Sequence, residues 1–451
     1  MTNKRLHVDA LVVGGGIAGM QTSLDLGDQG YQVALVEKTA SIGGNMVQLS
    51  KVFPTLDCAS CITTPKMSSV HHHDNIKLLT SSEVQKVTPH GDGFIAEVLL
   101  KPTYVNNDTC TGCQKCEEAC PVDILDEYDY GFNARRAAYI PFPTAIPYTA
   151  VIDMDHCIFC GQCIKACPVP DCIDFNMQPE VIEIETSAIV ISTGFKVTPY
   201  DAKEEYGAGK FRNVIDGLMM ERLLAPTGPY GHVLRPSDGK LPDSIAYVQC
   251  AGSRDLTLGV PYCSRVCCMY AIKQAMLLAG ALPMADITIY YMDIRTFGKQ
   301  YEQFYQNAKA MGIEFVKAKV ARITEVENQD LNVRVELIDE NSQVVERHHD
   351  LVVLSVGMLP NYDPQAVFSI DIAEDKFVET PYYHNSPAAT TRPGIFAAGT
   401  AAGPMDIVDT IVTAGSAAAD VAAYIQSHNG HKAETAVETQ TTVAERSVDH
   451  D

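Results

Sequence analysis

Two stretches of the chain repeat one spacing of cysteines. "CTGCQKCEEACP" places Cys110, Cys113, Cys116 and Cys120 before Pro121, and "CIFCGQCIKACP" places Cys157, Cys160, Cys163 and Cys167 before Pro168. Both read C-x2-C-x2-C-x3-C-P. Eight thiols at this repeated spacing constrain the backbone more tightly than any apolar pattern in the chain. Each run has to curl its sulfurs inward around an inorganic centre. Of fifteen cysteines, nine fall in 110–172 and four in 250–268. The N-terminus has only a short apolar stretch and no signal-peptide pattern, so a cytoplasmic setting is expected, and clustered cysteines there point to metal rather than disulfides.

The doubled run resembles the two-cluster bacterial ferredoxins, in which the fourth cysteine of each run serves the other cluster. The resemblance assigns Cys110, Cys113, Cys116 and Cys167 to one [4Fe–4S] cluster. Cys157, Cys160, Cys163 and Cys120 go to the second. Cys172 is left over and reads as a small buried hydrophobe.

The start of the chain carries a different signal. "HVDALVVGGGIAGMQTSLDLGDQGYQVALVEK" reads as strand, glycine turn, helix over about 17–29, and strand. Gly14, Gly16 and Gly19 form G-x-G-x-x-G, with Ile17 and Ala18 opening the helix. Glu37, followed by Lys38, ends the second strand where an acid would meet a ribose hydroxyl. Glycines there let the backbone approach a pyrophosphate, and the helix N-terminus favours its charge. Gly43, Gly44 and Asn45 in "SIGGNM", Thr193 and Gly194 closing "AIVISTGF", and Gly399 and Thr400 in "GIFAAGTAAG" follow in an order that resembles the disulfide-reductase-like flavoproteins. That resemblance implies FAD, and a last helix, opening near Asp406 and Ile407, whose positive end faces the flavin. Thr400 stands where many relatives carry Asp.

The ferredoxin-like stretch interrupts this flavin domain. Paired strands are expected in "SSEVQKVTPHGDGFIAEVLLKPTYV", and strands resume in "EVIEIETSAIVISTG". The expected fold class is therefore α/β, a two-dinucleotide-binding-domain, thioredoxin-reductase-like flavoprotein with an inserted α+β two-cluster ferredoxin domain. The boundaries read as FAD-binding domain over 1–105, 178–200 and 386–426, ferredoxin insert over 106–177, and second nucleotide-type domain over 201–385. Residues 427–451 read as a polar disordered tail.

In the second domain, "SIAYVQCAGSRD" sits where a second glycine cradle for NAD(P)H would be, but Cys250 takes the place of the turn. Cys250, Cys263, Cys267 and Cys268 form C-x12-C-x3-C-C. The residues alone leave cluster ligands, a redox dithiol and inert core thiols open. The motif with its following "MYAIKQA", together with "FPTLDCASCITTPKM", "YDYGFNARRAAYIPFPTAIP" and "AAGPMDIVDT", resembles the A subunit of heterodisulfide reductase from about residue 8 to 425. The resemblance implies a third [4Fe–4S] cluster on these four cysteines, close to the flavin. It also implies that Lys273 lies beside the isoalloxazine ring, where a cation stabilises reduced flavin; the alternative is a solvated helix lysine. Longer family members carry domains before and after the matching region. Shorter relatives include the A component of quinone-interacting oxidoreductase complexes.

The implied function is an FAD and [4Fe–4S] electron-transfer subunit of an oxidoreductase complex. It would split or merge electron pairs at the flavin, with terminal chemistry on B- and C-subunit-like or quinone-interacting partners and a homodimeric core. A non-bifurcating relay or scaffold subunit is one alternative, and an NAD(P)H-dependent disulfide-type reductase is another. A net charge of −22 (34 basic against 56 acidic residues) argues against nucleic acid or anionic membrane as partner, and no run of about 18 apolar residues spans a membrane. Cys58 and Cys61 in "DCASC" stay open between redox dithiol, ligands shared with a partner chain, and structural thiols. "SSVHHHDN", with His71, His72 and His73, reads as a polar loop.

Overall fold

The computed structural model describes residues 4–339, 342–382 and 384–445. The chain opens with strand β1 (Arg5–Val13), helix α1 (Ile17–Asp28) and strand β2 (Val33–Val36). A 3-10 turn at Gly44–Gln48 leads to helix α2 (Ala59–His72), strand β3 (Ile76–Leu79) and the hairpin β4 (Ser82–His90) and β5 (Gly93–Leu100). Next comes the cysteine-rich segment. It holds helix α3 (Lys115–Ala119), the two-stranded pairs β6 (Asp123–Leu125) with β7 (Ala134–Arg136) and β8 (Ala138–Tyr139) with β9 (Val151–Ile152), and helix α4 (Gln162–Ala166).

Strand β10 (Glu180–Ile191) then returns to the first sheet. Its first residue, Glu180, pairs with Leu100, the last residue of β5, so the cysteine-rich segment leaves and re-enters the sheet at neighbouring points. The sheet runs β3-β2-β1-β10-β5-β4. The sequence suggested several strands in 180–195; a single one of twelve residues forms. Ala10, Leu11, Val12, Ile189, Val190 and Ile191 are buried, as a parallel strand covered on both faces requires.

Strand β11 (Phe195–Val197) links to the second sheet, built from β12 (Val214–Asp216), helix α5 (Gly217–Leu224), β13 (Ser244–Val248), helix α6 (Cys267–Ala281), β14 (Asp286–Tyr291), helix α7 (Tyr301–Ala310), β15 (Glu314–Glu325), β16 (Leu331–Leu337), β17 (Val344–His349) and β18 (Leu351–Leu354). Its order is β12-β18-β13-β14-β15-β16-β17. β13, β14 and β18 are parallel and largely apolar, whereas β16 buries only alternate residues, Leu331, Val333 and Val335, as an antiparallel strand with one wet face does. β19 (Met358–Pro360) pairs back with β11, short helix α8 (Gln365–Phe368) follows, β20 (Ile395–Ala397) joins the first sheet beside β10, and helix α9 (Ile407–Glu445) closes the described chain. α9 runs through part of the stretch read from sequence as a disordered tail; residues 446–451 lie outside the described residues.

Candidate functional site

A cavity of about 690 Å³ lies at the carboxyl ends of β1 and β10 and reaches across to α5 and α6. Among the residues expected to hold a dinucleotide, Gly14, Gly16, Ile17, Ala18, Glu37, Lys38, Gly43, Gly44, Asn45, Thr193, Gly194, Thr400, Asp406 and Ile407 line it. Gly19 and Gly399, also expected there, do not line it. A Cβ on Gly19 would collide with the Gly14 carbonyl, and one on Gly399 would press on Ala18 and Thr410. These two glycines pack the wall from behind. Gly16 is the opposite case: a Cβ there meets nothing within 4 Å. It is the N-cap of α1, so the free N–H groups of that helix open onto the cavity. The room, the glycines and the helix end fit a pyrophosphate.

Glu37 is more committed than the sequence suggests. One carboxylate oxygen accepts the Gly15 N–H at 2.6 Å; the other accepts the N–H and hydroxyl of Thr39, both at 2.8 Å. The acid shapes the glycine turn, and a ribose hydroxyl would have to share it. At the far end, Asp406 caps α9 by accepting the Asp409 N–H at 2.8 Å and also takes the Tyr301 hydroxyl at 2.9 Å.

Helix α6 forms the wall on the side of the second sheet. Val266, Tyr270, Lys273 and Gln274 face the cavity at helical spacing. Lys273 is buried and is not a solvated helix lysine. Its Nζ donates to the Lys51 carbonyl at 2.8 Å and pairs with Glu221 of α5. Burial lowers its pKa and Glu221 partly offsets this. The same carboxylate accepts Gln274 Nε2 at 2.5 Å, the Ser50 N–H at 2.9 Å and the Ser50 hydroxyl at 2.7 Å. Gln274 Oε1 is buried without a partner beside the cavity, a polar atom left for a ligand to satisfy.

The Cys250 set meets at the N-terminal end of this helix. Cys267 and Cys268 are its first two residues, Cys263 lies in the loop before it, and Cys250 follows β13. Cys250 has φ 57°, the left-handed turn conformation a glycine would have supplied, at a cost of roughly 1 kcal/mol for a side-chain-bearing residue. Each of the four thiols interacts electrostatically with the other three. Burial, then the neighbouring thiols, pushes Cys267 well above the usual range and Cys268 up to about 11. Four soft donors, two buried and two half-buried, repelling one another as thiolates, fit a cationic iron–sulfur centre. Among the described residues no three His, Cys, Asp or Glu are spaced for a single metal ion, whereas a four-iron cluster takes one thiolate per iron and keeps them wider apart. The Val356 carbonyl ties cluster wall to cavity: it accepts Cys267 Sγ at 3.4 Å and the Tyr270 hydroxyl at 2.9 Å.

In the insert, Cys110, Cys113, Cys116 and Cys167 line one small cavity of about 20 Å³, where Cys172, buried, also packs. Burial pushes Cys116 up to about 12. Cys163 interacts with Cys157, Cys120 and Cys160, the other crossed set, and burial raises its pKa too. The fold thus brings together the thiols that the ferredoxin resemblance paired across the two runs.

The insert also walls the large cavity, which the sequence did not reveal. Tyr128, Tyr130, Tyr139 and Phe142 line it. Tyr128 donates to the Val47 carbonyl at 2.9 Å and stacks on Phe142 at 5.3 Å, and Tyr130 donates to Gln48 at 3.2 Å. Asp129 makes a 2.9 Å ion pair with Arg222 of α5, whose guanidinium lies 4.2 Å over the Tyr128 ring. "YDYGFNARRAAYIPFPTAIP" stood out in the sequence, but nothing in its pattern named α5 as its partner. The histidine loop is corrected: His71 and His72 form the last turn of α2, and His73 follows it, 3.2 Å from Asp28. Cys58 caps the other end of α2.

A 4Fe-4S dicluster domain family matches residues 109–170, and an FAD binding domain family matches residues 9–50. The chain is 47% identical over 421 residues to the second of the iron–sulfur A subunits of CoB–CoM heterodisulfide reductase of Methanopyrus kandleri, covering 92% of this chain and 64% of that protein. It is 42% identical over 419 residues to the A subunit of the H2:CoB-CoM heterodisulfide,ferredoxin reductase of Methanothermobacter thermautotrophicus, covering 92% of this chain and 63% of that protein. The chain therefore spans under two thirds of the length of these relatives. Among solved structures it is similar to a thioredoxin reductase of Lactococcus lactis, with a TM-score of 0.52 at 14% identity, over 93% of this chain and 99% of that one. That likeness establishes the thioredoxin-reductase-like fold.

Proposed function

Since this chain is like the A subunits of heterodisulfide reductase along 92% of its length, we propose that it is the FAD and iron–sulfur electron-transfer subunit of an oxidoreductase complex. The observation that carries the reading is helix α6, which presents Val266, Tyr270, Lys273 and Gln274 to the large cavity while its first turn holds Cys267 and Cys268. FAD in the large cavity would supply two-electron exchange that can be divided, and a [4Fe–4S] cluster on each of the three cysteine sets would supply one-electron transfer.

The residues have distinct tasks in this proposal. Gly14, Gly16 and the start of α1 hold a pyrophosphate. The Lys273–Glu221 pair sets the charge at the α6 wall. The tyrosines of the insert close the cavity against water and fix the ferredoxin unit to it. Among the described residues no helix is long and apolar enough to cross a membrane. The protein would act in the cytoplasm, as a homodimeric core, with partner subunits carrying the terminal chemistry. One relative's name pairs heterodisulfide with ferredoxin, which favours a divided electron pair here over a simple relay. A self-contained NAD(P)H-dependent reductase is disfavoured by Cys250 at the second glycine-turn position.

The test is cofactor content in an anaerobic preparation. About 12 irons and one FAD per chain are expected, and Cys250→Ser should keep the flavin and fall to about eight irons. Eight irons in the parent protein would remove the third cluster. A flavin band that titrates in one two-electron wave supports division of the pair; two separate one-electron waves support a relay.

A further inference from the structure

Cys58 and Cys61 belong to none of the three cysteine sets. Cys58 is the N-cap of α2, a fourteen-residue helix, and its Sγ accepts the Cys61 N–H at 3.3 Å. The two thiols also act on one another directly, and Cys61 is exposed to solvent while Cys58 is half-buried. The two sulfurs are therefore already neighbours, Cys58 half-buried at the helix N-terminus and Cys61 exposed one turn on. A second feature ties them to the large cavity. Cys58 pairs through its backbone with Lys51 in an isolated antiparallel bridge, and the Lys51 carbonyl is the one that receives Lys273. Lys51, Val52 and Phe53 all line the cavity.

We propose that Cys58 and Cys61 form a redox-active dithiol that exchanges with an external disulfide. Cys58, as thiolate, attacks one sulfur of the disulfide; a mixed disulfide forms and the first thiolate leaves. Cys61 then attacks Cys58 Sγ, its proton passes to water, and the second thiolate leaves. The incoming disulfide gains two electrons, and the protein is left with a Cys58–Cys61 disulfide. The exposed Cys61 and the short reach between the sulfurs make the second step intramolecular, which favours closure over a persistent mixed disulfide. The cysteine spacing also argues against a cluster held by this chain alone, because two thiolates fill only half of a four-ligand site.

This inference does not depend on the flavin or the clusters, so its test is separate. Residues 52–66, flanked by Lys51 and Lys66, contain Cys58 and Cys61 and no other cysteine, so one tryptic peptide reports both thiols. The anaerobic holoprotein is equilibrated with mixtures of reduced and oxidised glutathione, quenched with acid, alkylated and digested. Both alkylation sites should disappear together, with the loss of two hydrogens from the peptide and a two-electron dependence on the glutathione ratio. Cys61→Ser should trap glutathione on Cys58 about tenfold or more faster than Cys58→Ser traps it on Cys61. Serine at position 58 keeps a helix-capping oxygen, and flavin absorbance checks that each variant is folded. Independent modification of the two thiols would overturn the proposal, as would two thiols that stay reduced across the whole range. Protection of both from alkylation until a chelator is added would also overturn it, since it would make them metal ligands.

Discussion

Glu221→Gln isolates the electrostatics of the α6 wall, because it removes the counter-charge of Lys273 and keeps the side-chain volume. The two side chains, Lys273 and Glu221, are 2% and 1% exposed. Four donors converge on the carboxylate: Lys273 Nζ and Gln274 Nε2 on one oxygen, the Ser50 N–H and hydroxyl on the other. An amide offers one acceptor oxygen and one donor nitrogen, so two of the four would face an N–H group. Each lost bond costs about 1 kcal/mol, and the ammonium is left without its partner. Breaking a buried pair in this way costs about 3–5 kcal/mol. The deficit has a pH signature. Burial lowers the Lys273 pKa and Glu221 opposes that shift, so in the variant the folded-state pKa falls further. The unfolded chain keeps an ordinary lysine. Between the folded value and about 10.5 the unfolded state binds more protons, and stability therefore rises with pH there. The deficit should be largest near neutrality and shrink on the alkaline side. Urea unfolding of the anaerobic holoprotein, followed by circular dichroism and flavin release from pH 6 to 10, measures it. Lys273→Met combined with Glu221→Gln should be at least about 2 kcal/mol more stable than the sum of the two single changes predicts. A Glu221→Gln deficit under about 1 kcal/mol that is flat with pH, or strict additivity in the double variant, would refute a buried charged pair at this wall.

Two further changes test the cavity from its other sides. Gly16→Val should fold and yet lose most of its flavin absorbance, because its side chain enters open cradle space, whereas Gly19→Ala should lower the unfolding midpoint itself by colliding with Gly14; equal losses of stability in the two would contradict the assignment. Arg222→Lys, which cannot both pair with Asp129 and cover the Tyr128 ring in the guanidinium's planar geometry, should loosen the insert and raise the rate of proteolytic cleavage within residues 123–147 severalfold, with the iron content unchanged; unaltered cleavage kinetics would mean that the insert is held by other contacts.

The sequence by itself determined the local chemistry. The doubled cysteine run was legible in the sequence, and its resemblance to the two-cluster ferredoxins implied the crossed sets. The glycine turn at 14–19 marked the strand–turn–helix that opens the cavity, since that is short-range geometry written within a few residues. Cys250 was legible as a departure, because it stands where a glycine turn was due. Only the tertiary structure decided what these pieces face. Nothing near Glu221 in sequence marks it as the partner of Lys273, which is 52 residues away. The Asp129–Arg222 contact joins residues 93 apart from an inserted unit and a different sheet. The same holds for Gly19 and Gly399, whose motif positions suggested ligand contact while packing placed them behind the wall. Pattern within one element reports burial and turn geometry. The partner of a buried charge is set by how separate elements stack, and that information is distributed over the whole chain.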